Sequence, residues 1–299
     1  MEPRVTDEVN IGDSVEVVVA LGARLAEGPV WDARSGRLVW VDVPARRIYL
    51  TDVGTGTSDV IEVPLHVGAV VPRAAGGFVA ALQDGFWVVG MGQPYPMTRI
   101  PEARPDLRFN DGKCDPTGRF WAGTMAYDAA PAAGALYRLD PDGRVTRVLD
   151  GVTISNGLAW SPDGGTMYYI DTPTQRIDAF TFVPSTGEIR DRRSVVHVPP
   201  ELGAPDGMTV DADGGLWVAL WGGGAVHRYR DGQLDQVVRL PVSQPTSCAF
   251  GGVDLDELYV TSAWDGLSST ERRAQPFAGA VFRVRSGVRG MPPAVFVGA

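Results

Sequence analysis

The chain has 299 residues, 44% of them hydrophobic, and 27 Lys and Arg against 36 Asp and Glu give a formal charge of -9. That balance argues against nucleic acid or an anionic membrane surface as the main partner, since both call for clustered basic side chains. No apolar run approaches the roughly 20 residues of a membrane span, and Met1 to Glu8 lacks the basic and apolar regions of a signal peptide, so the expected location is cytoplasmic.

In chain order, Val15 to Val19 reads as a strand without the three that should precede it. A frame then repeats. Glu27-Gly-Pro-Val-Trp-Asp leads through a turn into Ser35-Gly-Arg-Leu-Val-Trp-Val, then the alternating Ala45 to Leu50, then Val60 to Val63. The second copy has His66 and Val67, a turn after Pro72, and Ala75-Gly-Gly-Phe-Val-Ala-Ala. The third runs from Asn110-Asp-Gly-Lys-Cys-Asp through Thr117-Gly-Arg-Phe-Trp-Ala-Gly to Gly134–Leu139 and Val145–Leu149. Asn156-Gly-Leu-Ala-Trp-Ser, Gly164-Gly-Thr-Met-Tyr-Tyr-Ile, Gln175–Phe180 and Val195–Val198 make the fourth. The fifth begins at Asp206-Gly-Met-Thr-Val-Asp, with Asp213-Gly-Gly-Leu-Trp-Val-Ala, Gly224–Tyr229 and Val237–Leu240. Thr246, Asp256-Glu-Leu-Tyr-Val-Thr and Gly279–Val284 belong to the sixth.

The spacing between equivalent turns is roughly 41 to 50 residues, the period of a four-stranded propeller blade. The expected fold is all-β: a six-bladed β-propeller with four antiparallel strands per blade, forming a single domain over residues 1–299, although length alone suggests about two. Val15–Val19 is expected to close the ring as the outer strand of the last blade, with Ala294–Val297 competing for that place. No stretch has helical apolar spacing over the length a helix needs. Pro141-Asp-Gly, Pro162-Asp-Gly and Asp211-Ala-Asp-Gly read as turns, because none has the closing Glu of a calcium loop.

Inner strands of a propeller run along the central channel, so equivalent positions lie at one height. Five residues before each turn stand Glu27, Val67 (beside His66), Asn110, Asn156, Asp206 and Thr246. Asn110, Asn156 or Asp206 alone is ordinarily a turn residue and Glu27 alone a solvated strand-end charge, but four oxygen-bearing side chains in one register point to a bound cation. Carboxylate and amide oxygens rank Ca²⁺ first, with Mg²⁺ and Mn²⁺ also suited and Zn²⁺ or Fe²⁺ open as further choices. Three His in the chain exclude a His-rich site, and His197 and His227 fall on outer strands. Cys114 and Cys248 read as buried thiols, Trp31, Trp160 and Trp217 as packing between blades, and Trp221 and Trp264 as rim residues.

The segments Leu25–Trp31, Arg108–Met125, Ser155–Asp163 and Pro205–Asp211 resemble those of the senescence-marker/gluconolactonase family, the regucalcin-like sugar lactonases, over essentially the whole chain. The resemblance implies a six-bladed propeller with one divalent metal at the channel mouth, hydrolysing a sugar lactone such as gluconolactone or xylonolactone. It also implies Glu27, Asn156 and Asp206 as metal ligands, Asn110 holding a substrate oxygen or metal-bound water, and Arg108 reaching the sugar hydroxyls. In the mechanism expected from these parts, the metal polarises the lactone carbonyl and Asp206 is the catalytic base for the attacking water. Asp111 orients a neighbouring group or serves a turn. Some relatives carry a substrate-contacting Glu just after Gly123-Thr-Met, where this chain has Tyr127 and Asp128, so either of these is a candidate for the substrate-binding edge. That loop and Pro101 to Asp106 are expected to form the rim. Two other functions fit the same site: a calcium-dependent phosphoester or organophosphate hydrolase, and a non-catalytic calcium-binding regulatory protein. A small-molecule partner is expected, and the oligomeric state is open, with a monomer allowed.

Overall fold

The computed structural model describes residues 9–10, 15–100 and 103–298. Met1 to Glu8, and Pro101 with Glu102 of the expected rim, lie outside the described residues. Two strands precede the first blade, β1 (Val9–Asn10) and β2 (Val15–Val19). The first blade is β3 (Ala26–Asp32), β4 (Arg37–Asp42), β5 (Arg47–Thr51) and β6 (Ser58–Glu62). The second is β7 (Val67–Pro72), β8 (Phe78–Leu82), β9 (Gly85–Val89) and β10 (Tyr95–Arg99). The third is β11 (Leu107–Cys114), β12 (Phe120–Ala126), β13 (Gly134–Leu139) and β14 (Val145–Val152). The fourth is β15 (Ser155–Trp160), β16 (Thr166–Asp171), β17 (Arg176–Val183) and β18 (Glu188–His197). The fifth is β19 (Ala204–Val210), β20 (Leu216–Trp221), β21 (Ala225–Arg230) and β22 (Gln233–Arg239). The sixth is β23 (Pro245–Gly251), β24 (Glu257–Ser262) and β25 (Val281–Arg285), completed by β2. Each blade is an antiparallel meander, and the inner strands contact one another around a closed ring, β3 against both β7 and β23.

Ring closure falls to the N-terminal strand: β2 pairs antiparallel with β25, Val15 opposite Val284 and Val19 opposite Val281. The competing segment Ala294–Val297 has another place. Residues after β25 cross the mouth opposite the expected site as a strap, hydrogen-bonding to blades six, five, two and three through Leu255, Ala212, Pro72 and Gly118. Phe296 of this strap is fully buried among Val71, Phe120 and Leu139. β1 adds a parallel fifth strand outside β22, an addition the repeat pattern did not foreshadow. Among the described residues there is one α-helix, the short α1 (Ser269–Ala274) between β24 and β25, started by a capping box of Ser268 and Glu271.

The turns between first and second strands explain the recurrence of Asp and Trp. Asp211 accepts from the backbone of Asp213 and Gly215 with one oxygen, and from the Trp217 indole and Arg228 with the other. Asp115 does the same for Thr117, Arg119 and Trp121. Each carboxylate thereby ties the turn to its blade, which is why these Asp-x-x-Gly strings are turns and not calcium loops. Aromatic rings then lock blade to blade: Trp31 stacks on Tyr259 at 6.0 Å, Trp121 meets Trp160 edge-on at 6.1 Å, and Trp217 meets Phe250 at 6.0 Å. Cys114 and Cys248 are buried free thiols on β11 and β23. His227, on the third strand of blade five, is buried against the Tyr229 hydroxyl, 3.1 Å away. Trp221 and Trp264 are half-buried, the latter beneath the Arg272 guanidinium at 3.7 Å.

Truncating the strap's anchor leaves a cavity in the core between blades two and three. Phe296→Ala is expected to lower the unfolding free energy by about 3 to 5 kcal/mol in urea. A loss below about 1 kcal/mol would show that the strap contributes little to closing the ring.

Candidate functional site

Each inner strand breaks register at the same height. In β15, Ser155 pairs with Asp171 and Leu158 with Tyr169, so Asn156 and Gly157 together oppose one residue. In β19, Asp206 and Gly207 sit between the Pro205–Leu220 and Met208–Val218 pairs, and in β11 Asn110 and Asp111 sit between Phe109–Thr124 and Gly112–Ala122. The register of β3 shifts just after Glu27, that of β7 just after Val67, and that of β23 at Thr246. A β-bulge leaves its extra residue unpaired and re-aims the side chain. In blades two, four and five glycine is required beside it because the next inner strand packs there: a Cβ on Gly157 would lie 2.7 Å from the Asp206 carbonyl oxygen, and one on Gly68 2.5 Å from the Phe109 backbone.

The two carboxamides are oriented unambiguously. Asn156 Nδ2 donates to Thr172 Oγ1 at 3.0 Å, and that hydroxyl spends its own proton on the Pro205 carbonyl at 2.9 Å. Its amide oxygen Oδ1 is therefore the free end, and it is buried with no hydrogen-bond partner. Asn110 is used differently. Its Oδ1 accepts from Arg108 Nη1 at 2.7 Å and its Nδ2 donates to the Ser155 carbonyl at 2.8 Å, which leaves one amide N–H and one Oδ1 lone pair as its remaining polar capacity.

Three acids share this wall: Glu27, Asp111 and Asp206, each no more than 5% exposed. One Glu27 oxygen accepts from Gly28 N at 3.0 Å and one Asp111 oxygen from Gly112 N at 2.6 Å, while Asp206 Oδ1 has no partner. Burial pushes the Glu27 carboxyl well above the ordinary range, with Asp206 and Asp111 adding to the rise. Asp206 is raised by burial and then by Asp111. Asp111 is raised by burial against the opposing pull of Lys113. Burial lowers the Arg108 guanidinium, which Glu27 pulls back. Such a cluster, with two orphaned buried oxygens, is poorly satisfied as it stands and suits a hard cation. Among the described residues no three His, Cys, Asp or Glu side chains are spaced to hold a metal ion. A donor set here must therefore include the amide oxygen of Asn156.

Val67 and Thr246, the other two positions at this height, supply no free donor: Val67 is buried and aliphatic, and Thr246 Oγ1 donates to the Ala26 carbonyl at 2.6 Å. At the rim, Tyr127 is 44% exposed and its hydroxyl lies 2.6 Å from His66 Nδ1. The Arg108 charge acts on both. Asp128 is exposed, and its Oδ1 accepts from Ala130 N at 3.0 Å within its own turn. Sequence reasoning missed the His66–Tyr127 pair and gave no role to Lys113, whose Nζ donates to the Met208 carbonyl at 2.6 Å. The signal for Lys113 was its position two residues beyond Asp111, on the same side of one strand.

With fold and site in view, known proteins give them a setting. The model of the SMP-30/Gluconolactonase/LRE-like region matches residues 25–264. The chain belongs to that family. It is 39% identical to regucalcin of Xenopus laevis over 294 residues, covering 95% of this chain and 98% of the relative, and human regucalcin is 40% identical over the same length. Among solved structures, a calcium-binding regucalcin from Agrobacterium tumefaciens superposes with a TM-score of 0.90 at 30% identity, covering 94% of this chain and 96% of its own. A gluconolactonase from Xanthomonas campestris superposes at 0.75 with 26% identity, covering 92% and 91%. Among the described residues no helix is long and apolar enough to cross a membrane.

Two outcomes follow from this geometry. Gly157→Ala is expected to cost about 1 to 3 kcal/mol of stability, because blades four and five must separate. An unchanged unfolding midpoint would contradict that close approach. Glu27 and Asp206 have folded pKa values above their unfolded ones. Their contribution to stability is thus complete below about pH 4 and is lost as pH rises through the folded values. In chelator-treated protein, Asp206→Asn, which cannot ionise, should therefore gain thermal stability over the parent progressively as pH rises above about 4. Parallel curves for the two proteins would exclude a strained buried carboxylate.

Proposed function

We propose that this protein is a divalent-cation-dependent lactonase that opens the ring ester of a sugar lactone, an aldonolactone such as gluconolactone or xylonolactone, to the free acid. The observation that carries this reading is the pair of buried, partnerless oxygens on Asn156 and Asp206, set beside Glu27 and next to the donors Arg108 and Asn110. Glu27, Asn156 and Asp206 would hold the cation, and their all-oxygen character favours Ca²⁺. When bound, the ion supplies Lewis acidity at the lactone carbonyl.

The chain's own residues do the rest. Asn110, clamped by Arg108 and the Ser155 carbonyl, presents an N–H in a fixed direction to a substrate oxygen. Its partner Arg108 binds ring hydroxyls at the mouth. In this reading Tyr127, held by His66, forms the substrate edge, because the Asp128 carboxylate is folded onto its own turn. Asp206 takes a proton from the attacking water as the new C–O bond forms at the carbonyl carbon. The ring C–O bond then breaks, and its oxygen leaves as a hydroxyl after receiving a proton, which gives the hydroxy acid.

The test is acid release from a panel of aldonolactones by chelator-treated protein, with Ca²⁺, Mg²⁺, Mn²⁺, Zn²⁺ or Fe²⁺ restored one at a time. Turnover is expected to return with a divalent ion, and Asp206→Asn is expected to lower kcat by about 10³-fold or more. Wild-type kcat in that variant would remove Asp206 from the chemistry. Tight cation binding with no lactone hydrolysed would leave a non-catalytic calcium-binding protein as the better description.

A further inference from the structure

Of the 27 Lys and Arg in the chain, every one but Lys113 is arginine. The single ammonium stands in the central channel. Its stem starts on β11 in the third blade and its Nζ reaches the Met208 carbonyl on β19 in the fifth, 2.6 Å away, so the side chain spans the channel past the fourth blade. Beneath the bulge residues lies a cavity of ≈ 170 Å³, whose lining includes Gly28, Val70, Lys113, Ala159, Thr209 and Ala249, one from each inner strand. Met291 to Ala294 of the strap line it as well. The lining is mainly apolar, and it takes in Asp111 but none of Glu27, Asn110, Asn156 or Asp206. Lys113 thus lies at the boundary between a polar site and an apolar space.

An ammonium has three donors, and here one carbonyl receives one of them. Hydrogen bonding alone does not offset the burial of this charge. The compensation is electrostatic: Asp111, two residues earlier on the same strand, attracts Lys113, and Asp111 in turn acts on Glu27 and Asp206. Arginine at this position would bring a wide planar fork in search of several acceptors, whereas lysine offers a compact point charge on a slender stem. That difference accounts for a lysine in a chain that uses arginine everywhere else.

We propose that Lys113 is the built-in counter-charge beneath the cation site, facing Asp111 on the shared cavity lining and weakening the affinity of the neighbouring wall for a divalent cation. The inference rests on the cation-binding reading of that wall. Charge at the ligand cluster sets the affinity of an oxygen site for a hard cation, so a fixed positive charge beside it lowers that affinity. Lys113 is a positioning residue and has no contact with substrate in this account.

The test titrates Ca²⁺ into chelator-treated full-length protein by calorimetry, comparing wild type with Lys113→Gln and Lys113→Met. Gln keeps a donor for the Met208 carbonyl without the charge, and Met removes both. Both variants are expected to bind Ca²⁺ about tenfold tighter or more, and to show a larger rise in Tm between the cation-free and saturated states. If Gln matches wild type and Met merely loses stability, the hydrogen bond is all that matters and the proposal is overturned. A second readout needs no variant. With ¹⁵N-lysine labelling, the one lysine gives one side-chain signal, which should move on Ca²⁺ saturation; a stationary signal would also overturn the proposal, and this readout decides should the variants fail to fold. Wild type that binds no divalent ion would sink both this inference and the cation site beneath it, whereas binding that is equal in all three proteins would sink this inference alone.

Discussion

One constraint organises the molecule: each inner strand must bulge at one height so that its neighbour's backbone can come close. A glycine at or beside that point lets the next blade pack without a Cβ in the way, as Gly157 does against Asp206 and Gly68 against Phe109. The unpaired residue is thereby turned out of the ladder. In blades three, four and five the residue at that point is Asn or Asp, and in blade one Glu27 stands immediately before it. Close packing of the ring and assembly of the polar wall are thus one structural event, and the wall cannot be loosened without opening the ring.

Packing of this kind creates an electrostatic debt that the fold meets in stages. Burial raises the pKa values of three acids, Asp111 adds to the rise at Glu27 and Asp206, and two oxygens have no donor to satisfy them. Arg108 and Lys113 approach from the mouth and from the channel, respectively, and each is itself desolvated. Neither gives Asn156 Oδ1 or Asp206 Oδ1 a hydrogen bond. In the proposed reading, a cation taking these oxygens as ligands would complete the arrangement. Hydrogen bonds already fix two of these groups, Thr172 the Asn156 amide and the Gly28 N–H the Glu27 carboxylate.

Much of this was legible in the sequence because a repeat exposes its own register. Turns with Asp or Gly, followed by aromatic strands, marked the blades, and counting back from them located Glu27, Asn110, Asn156 and Asp206. The bulges were not legible, since a Gly after Asn or Asp reads equally well as a turn. In blade three the Gly comes one residue later, which brings Asp111 into the bulge together with Asn110. Lys113 escaped notice because a search for oxygen donors passes over an ammonium. The strap from Gly290 to Phe296 includes part of the Ala294–Val297 run that reads as a closing strand, and its actual course across the far mouth follows only from the fold. Helix α1 is too short for periodicity to reveal, although its Ser268–Glu271 capping box was there to be read.

The most direct test of the account is anomalous diffraction from crystals of this protein grown or soaked with Mn²⁺, an ion suited to the same oxygen donors. The account predicts one strong peak within bonding distance of a Glu27 carboxylate oxygen, Asn156 Oδ1 and Asp206 Oδ1, with Lys113 still reaching the Met208 carbonyl below it. A fully occupied peak elsewhere with this wall empty, or no peak at saturating Mn²⁺, would contradict it.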